Sequence, residues 1–350
     1  MSRGIGEFEP IQELVPEWAA VLVALVTQLG DVWFLAILVG TLYWLSADNR
    51  EDSAIIIGLT IAGLSVITAL KHVFALPRPG QPLVALEALP GLIQPVYEGT
   101  AMASGYGFPS GHALMTTIVY VSLARRLSIG TSRQRLIGAT AIITLVGLSR
   151  VALGVHYLVD IVVGIAVGLA FLALLEWVFT RVENGHATIT FSVSIVSSGL
   201  AVVASSADPD AVLLLGAALG TFGGWQLISF GRALAVAEQP TTAVRPLVLT
   251  GGLAACAFAL LASALEVFHP LSVPAIGAAL GIACGIFVTI PVLRRSERAT
   301  RVWRALVFWV TMAGLGIRYL LRPTTWRRGY AGGQEYAGRA RRWIRARVSE

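Results

Sequence analysis

The chain has 350 residues, 56% of them hydrophobic and only 13% charged, with a mean hydropathy of +0.75. That is too little charge to cover a soluble protein of this size, so a soluble globular class is excluded. The net charge of +6 does not point to nucleic acid, because the basic residues gather at the ends of apolar runs and in the C-terminal tail, where membrane topology puts them.

In chain order, residues 1–17 set Glu7, Glu9, Glu13 and Glu17 against Ile5, Phe8, Ile11 and Leu14 near helical spacing, the pattern of an interfacial segment. Apolar runs follow at 18–46, 54–76, 110–128, 136–153, 155–180, 189–207, 211–231, 246–268 and 271–293, each near the length that crosses a bilayer. The first is too long for a signal peptide and reads as a signal anchor. A further run, 303–321, is weakened by Arg304 and Arg318 and is expected to lie along or partly in the membrane. The expected fold class is all-α: a polytopic helical membrane protein. The link from Pro77 to Pro109 is rich in proline and longer than the others, so it reads as an ordered cover outside the membrane. Cys256 and Cys284 both fall inside apolar runs and read as small packing residues, not as a disulfide or metal site.

Arginine placement sets the orientation. Arg125, Arg126, Arg133 and Arg135 follow the third run, and Arg294, Arg295, Arg298 and Arg301 follow the ninth; both links belong on the cytoplasmic side. Nine crossings then put the N-terminus outside and the Arg-rich tail inside. In the second half, Gly216-Ala217-Ala218-Leu219-Gly220 recurs as Gly277-Ala278-Ala279-Leu280-Gly281, and the four-residue glycine spacing continues to Gly224 and Gly285. This spacing lets helices approach closely in lipid, and it suggests two tandem hairpins.

Three polar segments interrupt the apolar pattern: Lys71 with Arg78 and Pro79, then Pro109-Ser110-Gly111-His112, then Ser149-Arg150 followed by His156 and Asp160. Lys71 is the only lysine in the chain. The alternation of crossings brings all three segments to one membrane face, whichever way the chain is inserted. A single arginine at a helix end is adequately explained as a snorkelling anchor, but that does not explain this whole set. The set suits phosphoryl transfer. Lys71, Arg78 and Arg150 are cations for a phosphate. Ser110 and Gly111 open a helix whose free N–H groups favour an anion. His156 and Asp160, four apart, are expected to share a helical face, with the carboxylate orienting a nucleophilic imidazole. His112 can protonate the leaving oxygen and later activate water. His72, His186 and His269 are given no role.

The pattern Lys-x6-Arg-Pro, Pro-Ser-Gly-His, Ser-Arg-x5-His-x3-Asp resembles the type 2 phosphatidic acid phosphatase (PAP2) family, which shares its site with vanadium haloperoxidases. The likeness covers roughly residues 30–180, with every motif position matched. It implies a helical-bundle core, a phosphohistidine on His156, no cofactor and no metal requirement. It further implies a phosphatase acting on the phosphomonoester or diphosphate of a membrane lipid: phosphatidic acid, phosphatidylglycerophosphate or a polyprenyl phosphate. The alternatives are a lipid phosphotransferase, a sugar phosphatase of the glucose 6-phosphate branch, and an anion-binding or transporter-like protein with a degenerate core. The expected division is an interfacial segment at 1–17, a catalytic membrane core at 18–183, additional hairpins at 184–302, and a weakly hydrophobic segment with an Arg-rich tail at 303–350. The expected partners are the bilayer and a lipid phosphate, with the site facing the exterior or a lumen.

Overall fold

Helix boundaries follow local sequence chemistry. In the computed structural model, which describes residues 3–16, 19–46, 49–88, 91, 94–101, 105–236, 244–293 and 338–339, the central helix α4 (Arg50–Phe74) begins with Glu51 and Asp52 in its first turn and ends with Lys71 and His72 in its last. Both charge placements suit the helix dipole. Ala75 closes the helix in a left-handed conformation (φ 48°) and donates its N–H to Lys71 O, and Pro77 blocks any continuation. Ser110 caps α6 (Gly111–Arg126), its hydroxyl accepting from the Ala113 N–H. Thr131 and Gln134 form a reciprocal capping box on α7 (Ser132–Ala152). The earlier helices are α1 (Phe8–Glu13), α2 (Ala20–Thr27), α3 (Val32–Leu45) and, inside the long link, α5 (Gln94–Ala101). The later ones are α8 (Leu158–Phe179), α9 (His186–Ala204), α10 (Pro209–Val236), α11 (Gly252–Val267, entered through a π-turn at Leu247–Gly251) and α12 (Val273–Leu293).

The protein is an all-α polytopic helical chain. Among the described residues, seven helices are long and apolar enough to cross a bilayer, and α2 with α3, bent by 49° at Gly30-Asp31, makes an eighth if counted as one span. At 16 residues α6 is shorter than those spans, yet it runs the length of the bundle. Its start lies beside Lys71 at the end of α4, while Arg126 at its end reaches Asp52 at the start of α4 at 2.9 Å and Glu176 at the end of α8 at 3.4 Å. The short helix suffices because it is interior: eleven of its residues are buried among its neighbours. By length and composition the described residues therefore supply seven crossings, or eight with the bent pair, against the nine expected; α6 occupies the position of the remaining run. The run 303–321 and the arginines from Arg294 onward lie outside the described residues, as do Glu17 and the tail arginines.

The chain divides into two compact units, Met1–Thr289 and Ile290–Glu350. Within the first, small residues set the helix spacing. Gly58 of α4 lies under Thr190 of α9, and Ser65 and Ser198 hydrogen-bond across the same contact at 2.7 Å. Gly164 and Gly168 let α8 lie against the backbone of α6. The repeated glycine motifs pack against each other: a Cβ at Gly216, Gly220 or Gly224 would fall 2.0, 1.7 or 2.6 Å from the carbonyl oxygens of Gly277, Gly281 and Gly285. Cys256 is exposed on its helix instead of packed, and Cys284 is half-buried.

No side chain fits at Gly220, so Gly220→Leu should lower stability by about 2 kcal/mol or more, the usual range for overpacking. Gly199→Leu is the control, since a Cβ there meets nothing within 4 Å. Thermal unfolding of both variants in detergent would measure the difference. Equal effects would show that the glycine contact does not hold α10 to α12.

Candidate active site

The end of α4, the start of α6 and the α7–α8 junction meet at one end of the bundle, around a cavity of about 520 Å³. Of the residues singled out from sequence, Lys71, Arg78, Gly111, His112, Arg150 and His156 line it. Ser110 and Asp160 are buried behind it. The Ser110 hydroxyl is occupied as the helix cap, and the Ser110 N–H donates to Asp160 O at 3.0 Å. His72 points elsewhere: its Nδ1 lies 2.9 Å from Thr68 O and its Nε2 3.8 Å from Asp208.

His156 does not share a helical face with Asp160, because α8 begins only at Leu158. It sits in a tight link shaped by Gly154 (φ 67°), where a Cβ would strike the Gln81 carbonyl at 1.6 Å. Asp160 instead accepts from the Tyr157 N–H at 3.0 Å as part of the cap of α8, and still brings Oδ2 to 3.5 Å from His156 Nδ1. The other ring nitrogen, Nε2, lies 3.3 Å from Arg78 Nη1. A guanidinium can only donate, so Nε2 carries the lone pair and Nδ1 the proton, facing Asp160. Burial, then Arg150, Arg78, Lys71 and His112, push the His156 pKa well below the ordinary histidine value. The imidazole is therefore neutral at neutral pH, the form with a free nucleophilic nitrogen.

Arg150 is 2% exposed. Its Nη1 donates to Thr27 Oγ1 at 3.1 Å, while Nε is buried without a partner among the described residues. The cation is held away from water and is only partly satisfied. The long link lines the cavity with Arg78 and Gly99. Its ends are tied by Gly107 N–H donating to Leu76 O, and Tyr97, Val84 and Ala101 pack with Ala20, Ala24, Leu153 and Val155. Among the described residues, no group of three or more His, Cys, Asp or Glu side chains is gathered as metal ligands would be.

Three participants were not singled out from sequence. Asp31 Oδ1 lies 3.1 Å from His112 Nε2. A lone carboxylate inside the apolar run 18–46 was the available signal, since ionisable residues within spans mark functional positions. Arg3 reaches Asp160 at 3.1 and 3.4 Å and Pro77 O at 2.9 Å, with its guanidinium over the Tyr157 ring. Glu7 of the same arm accepts from the Leu158 N–H at 3.1 Å. Burial works to raise the Glu7 pKa, but the N–H groups of Glu7 itself, Leu158 and Ile5 outweigh it and hold the carboxyl below its usual value. Nothing in an acidic amphipathic segment marks such an arm as part of a site. The third is α10, which contributes Asp210, Leu213 and Leu214 to the cavity wall.

Residues 53–183, which carry Lys71, His112, Arg150 and His156, match the model of the PAP2 superfamily. Over this segment, a little more than a third of its length, the chain is similar to the PAP2 superfamily. A phosphatidylglycerophosphatase B from Bacillus subtilis (strain 168) is 31% identical over 90 residues, which cover 24% of this chain and 44% of that protein. The chain thus spans less than half the length of this curated relative. No solved structure matches the chain. The match places the cation cluster and both histidines inside the PAP2 segment, whereas Asp31, Arg3 and the α10 wall lie outside it.

Proposed function

We propose that the protein is a membrane phosphatase that hydrolyses the phosphate ester of a lipid through a phosphohistidine on His156. The observation that carries this reading is Arg150: a cation 2% exposed, incompletely paired, and facing a cavity it shares with Lys71 and Arg78. An uncompensated buried charge costs about 3–5 kcal/mol, and a phosphate dianion bound among these three cations would offset that cost. His156 Nε2 attacks phosphorus and the ester P–O bond breaks. His112 gives its proton to the departing alkoxide, and Lys71, Arg78 and Arg150 stabilise the charge on the transferring oxygens. Water then attacks the phosphohistidine, His112 takes the water proton, and inorganic phosphate leaves with His156 free.

The lipid assignment rests on the flank of the cavity. Val32, Leu64, Leu213 and Leu214 lie beside the cation cluster, so a charged head and a hydrocarbon tail would each meet matching surface. The name of the Bacillus subtilis relative puts phosphatidylglycerophosphate first among the candidates. The positive-inside pattern puts the site end of the bundle on the exterior or lumenal face.

Purified protein should release phosphate from a lipid phosphate in EDTA and should be inhibited by vanadate, which mimics five-coordinate phosphorus. Loss of activity in EDTA with recovery in magnesium would overturn this mechanism. His156→Ala should form no acid-labile phosphoenzyme. His112→Ala should keep more activity on p-nitrophenyl phosphate, whose phenolate leaves without an acid, than on an alkyl phosphate.

Leu214→Trp should fill the apolar flank. The expected result is at least about a tenfold fall in kcat/KM for long-chain lipid phosphates, near the worth of two buried methylenes, with p-nitrophenyl phosphate turnover changed less than about twofold. Equal losses on both would remove α10 from substrate binding.

A cysteine at Gln81, in a background with Cys256 and Cys284 replaced, should react with an impermeant thiol reagent on intact cells. Labelling only after permeabilisation would invert the orientation.

A further inference from the structure

We infer that Asp31 is the positioning residue for His112, fixing which ring nitrogen faces the leaving group. The inference rests on the reading of His112 as the proton donor and adds a residue that lies outside the PAP2 segment. Asp31 stands at the N-cap of α3, where an aspartate ordinarily accepts from the backbone N–H groups of the first turn. Here its side chain makes no capping bond. Its Oδ1 instead lies 3.1 Å from His112 Nε2. Nε2 is buried and makes no regular hydrogen bond among the described residues, and a carboxylate only accepts, so this close ion-pair contact favours the proton of neutral His112 on Nε2 and leaves Nδ1 as the nitrogen available to a substrate. When Nδ1 takes up the proton it will later donate, the adjacent carboxylate balances the imidazolium charge.

The bent span is built to hold that carboxylate in place. Gly30 packs so closely that a Cβ would fall 2.9 Å from Val146 Cγ1 and 3.0 Å from both His112 Cδ2 and Thr116 Cγ2. Tyr120 donates its hydroxyl to Leu29 O at 2.9 Å, and Trp33 Nε1 donates to Gln28 Oε1 at 2.8 Å. The break in the span falls at the cavity wall, where Gly30, Asp31 and Val32 line it; irregular backbone at membrane depth is tolerated where it borders a polar cavity. The other ionisable groups around His112 are Lys71 from α4, Arg150 from α7 and His156 from the α7–α8 link. Lys71 and Arg150 cannot accept its proton while carrying charge, and the lone pair of His156 Nε2 faces Arg78. Among the described residues, Asp31 is the carboxylate within ion-pair reach of the ring.

The test uses the full-length protein labelled with ¹⁵N-histidine. The chain has five histidines, so His112 can be assigned by comparison with His112→Gln. The ¹⁵N shifts should show His112 protonated at Nε2. Asp31→Ala should lose that preference while the other four rings keep theirs. Asp31→Asn, whose amide oxygen still accepts, should retain it. In turnover, Asp31→Ala should lower kcat on an alkyl phosphate by about tenfold to a hundredfold. Its KM should be unchanged, and p-nitrophenyl phosphate turnover should fall less than about threefold. Asp31→Asn should lie between, since it keeps the geometry without the charge. An unchanged His112 tautomer in Asp31→Ala would overturn the inference, and so would equal kcat losses on the alkyl and aryl substrates. A tautomer that depends on Asp31, in a protein that releases no phosphate from any substrate, would uphold the pairing and overturn the phosphatase reading instead.

Discussion

The arrangement of this protein turns on keeping like charges together around one cavity, with one of them almost wholly removed from water. Arg150 is nearly fully buried, Lys71 and Arg78 share its cavity, and the Thr27 hydroxyl accepts from the Arg150 guanidinium. Such a cluster is unfavourable on its own, so the rest of the bundle must hold it rigidly. The packing does this through small residues. Gly164 and Gly168 bring α8 against α6, Gly58 brings α9 against α4, and Gly30 seats the bent span against α6 and α7. The close approach fixes the helix ends from which the cations and imidazoles project.

A carboxylate stands behind each imidazole, and the two are supplied in different ways. Asp160 comes from the first turn of α8 and doubles as part of that helix's cap, so its position follows from local sequence. Asp31 comes from a break in another span and gives up capping to reach its histidine. The opposite ring nitrogens are held: Nδ1 of His156 faces its carboxylate at 3.5 Å, whereas Nε2 of His112 faces its own at 3.1 Å.

Much of this was legible in the sequence because the motif residues lie at the ends of apolar runs, and run ends alternate between two faces. That alternation alone gathers Lys71, Arg78, His112, Arg150 and His156. The glycine repeat was legible as a packing surface, though not that its two copies pack against each other, because spacing shows a helix face and not its partner. The His156–Asp160 spacing predicted the right contact for the wrong reason: an i, i+4 pair implies a helix, but Gly154 and the Tyr157 cap delay the helix until Leu158. Arg3 and the α10 wall were not legible, since neither breaks the local pattern around it and only the tertiary fold sets them at the cavity.

The contact between Arg3 and Asp160 joins residues 157 positions apart. At ribosomal speeds of about 5–20 residues per second, the second partner is made roughly 10–30 s after the first. Several spans enter the membrane in that interval, while the arm waits at the surface with neither Asp160 nor the start of α8 to bind. The arm can therefore settle only after α8 is in place. It joins residues 3–7 to the turn that carries His156, so that turn is completed by a segment translated well before it.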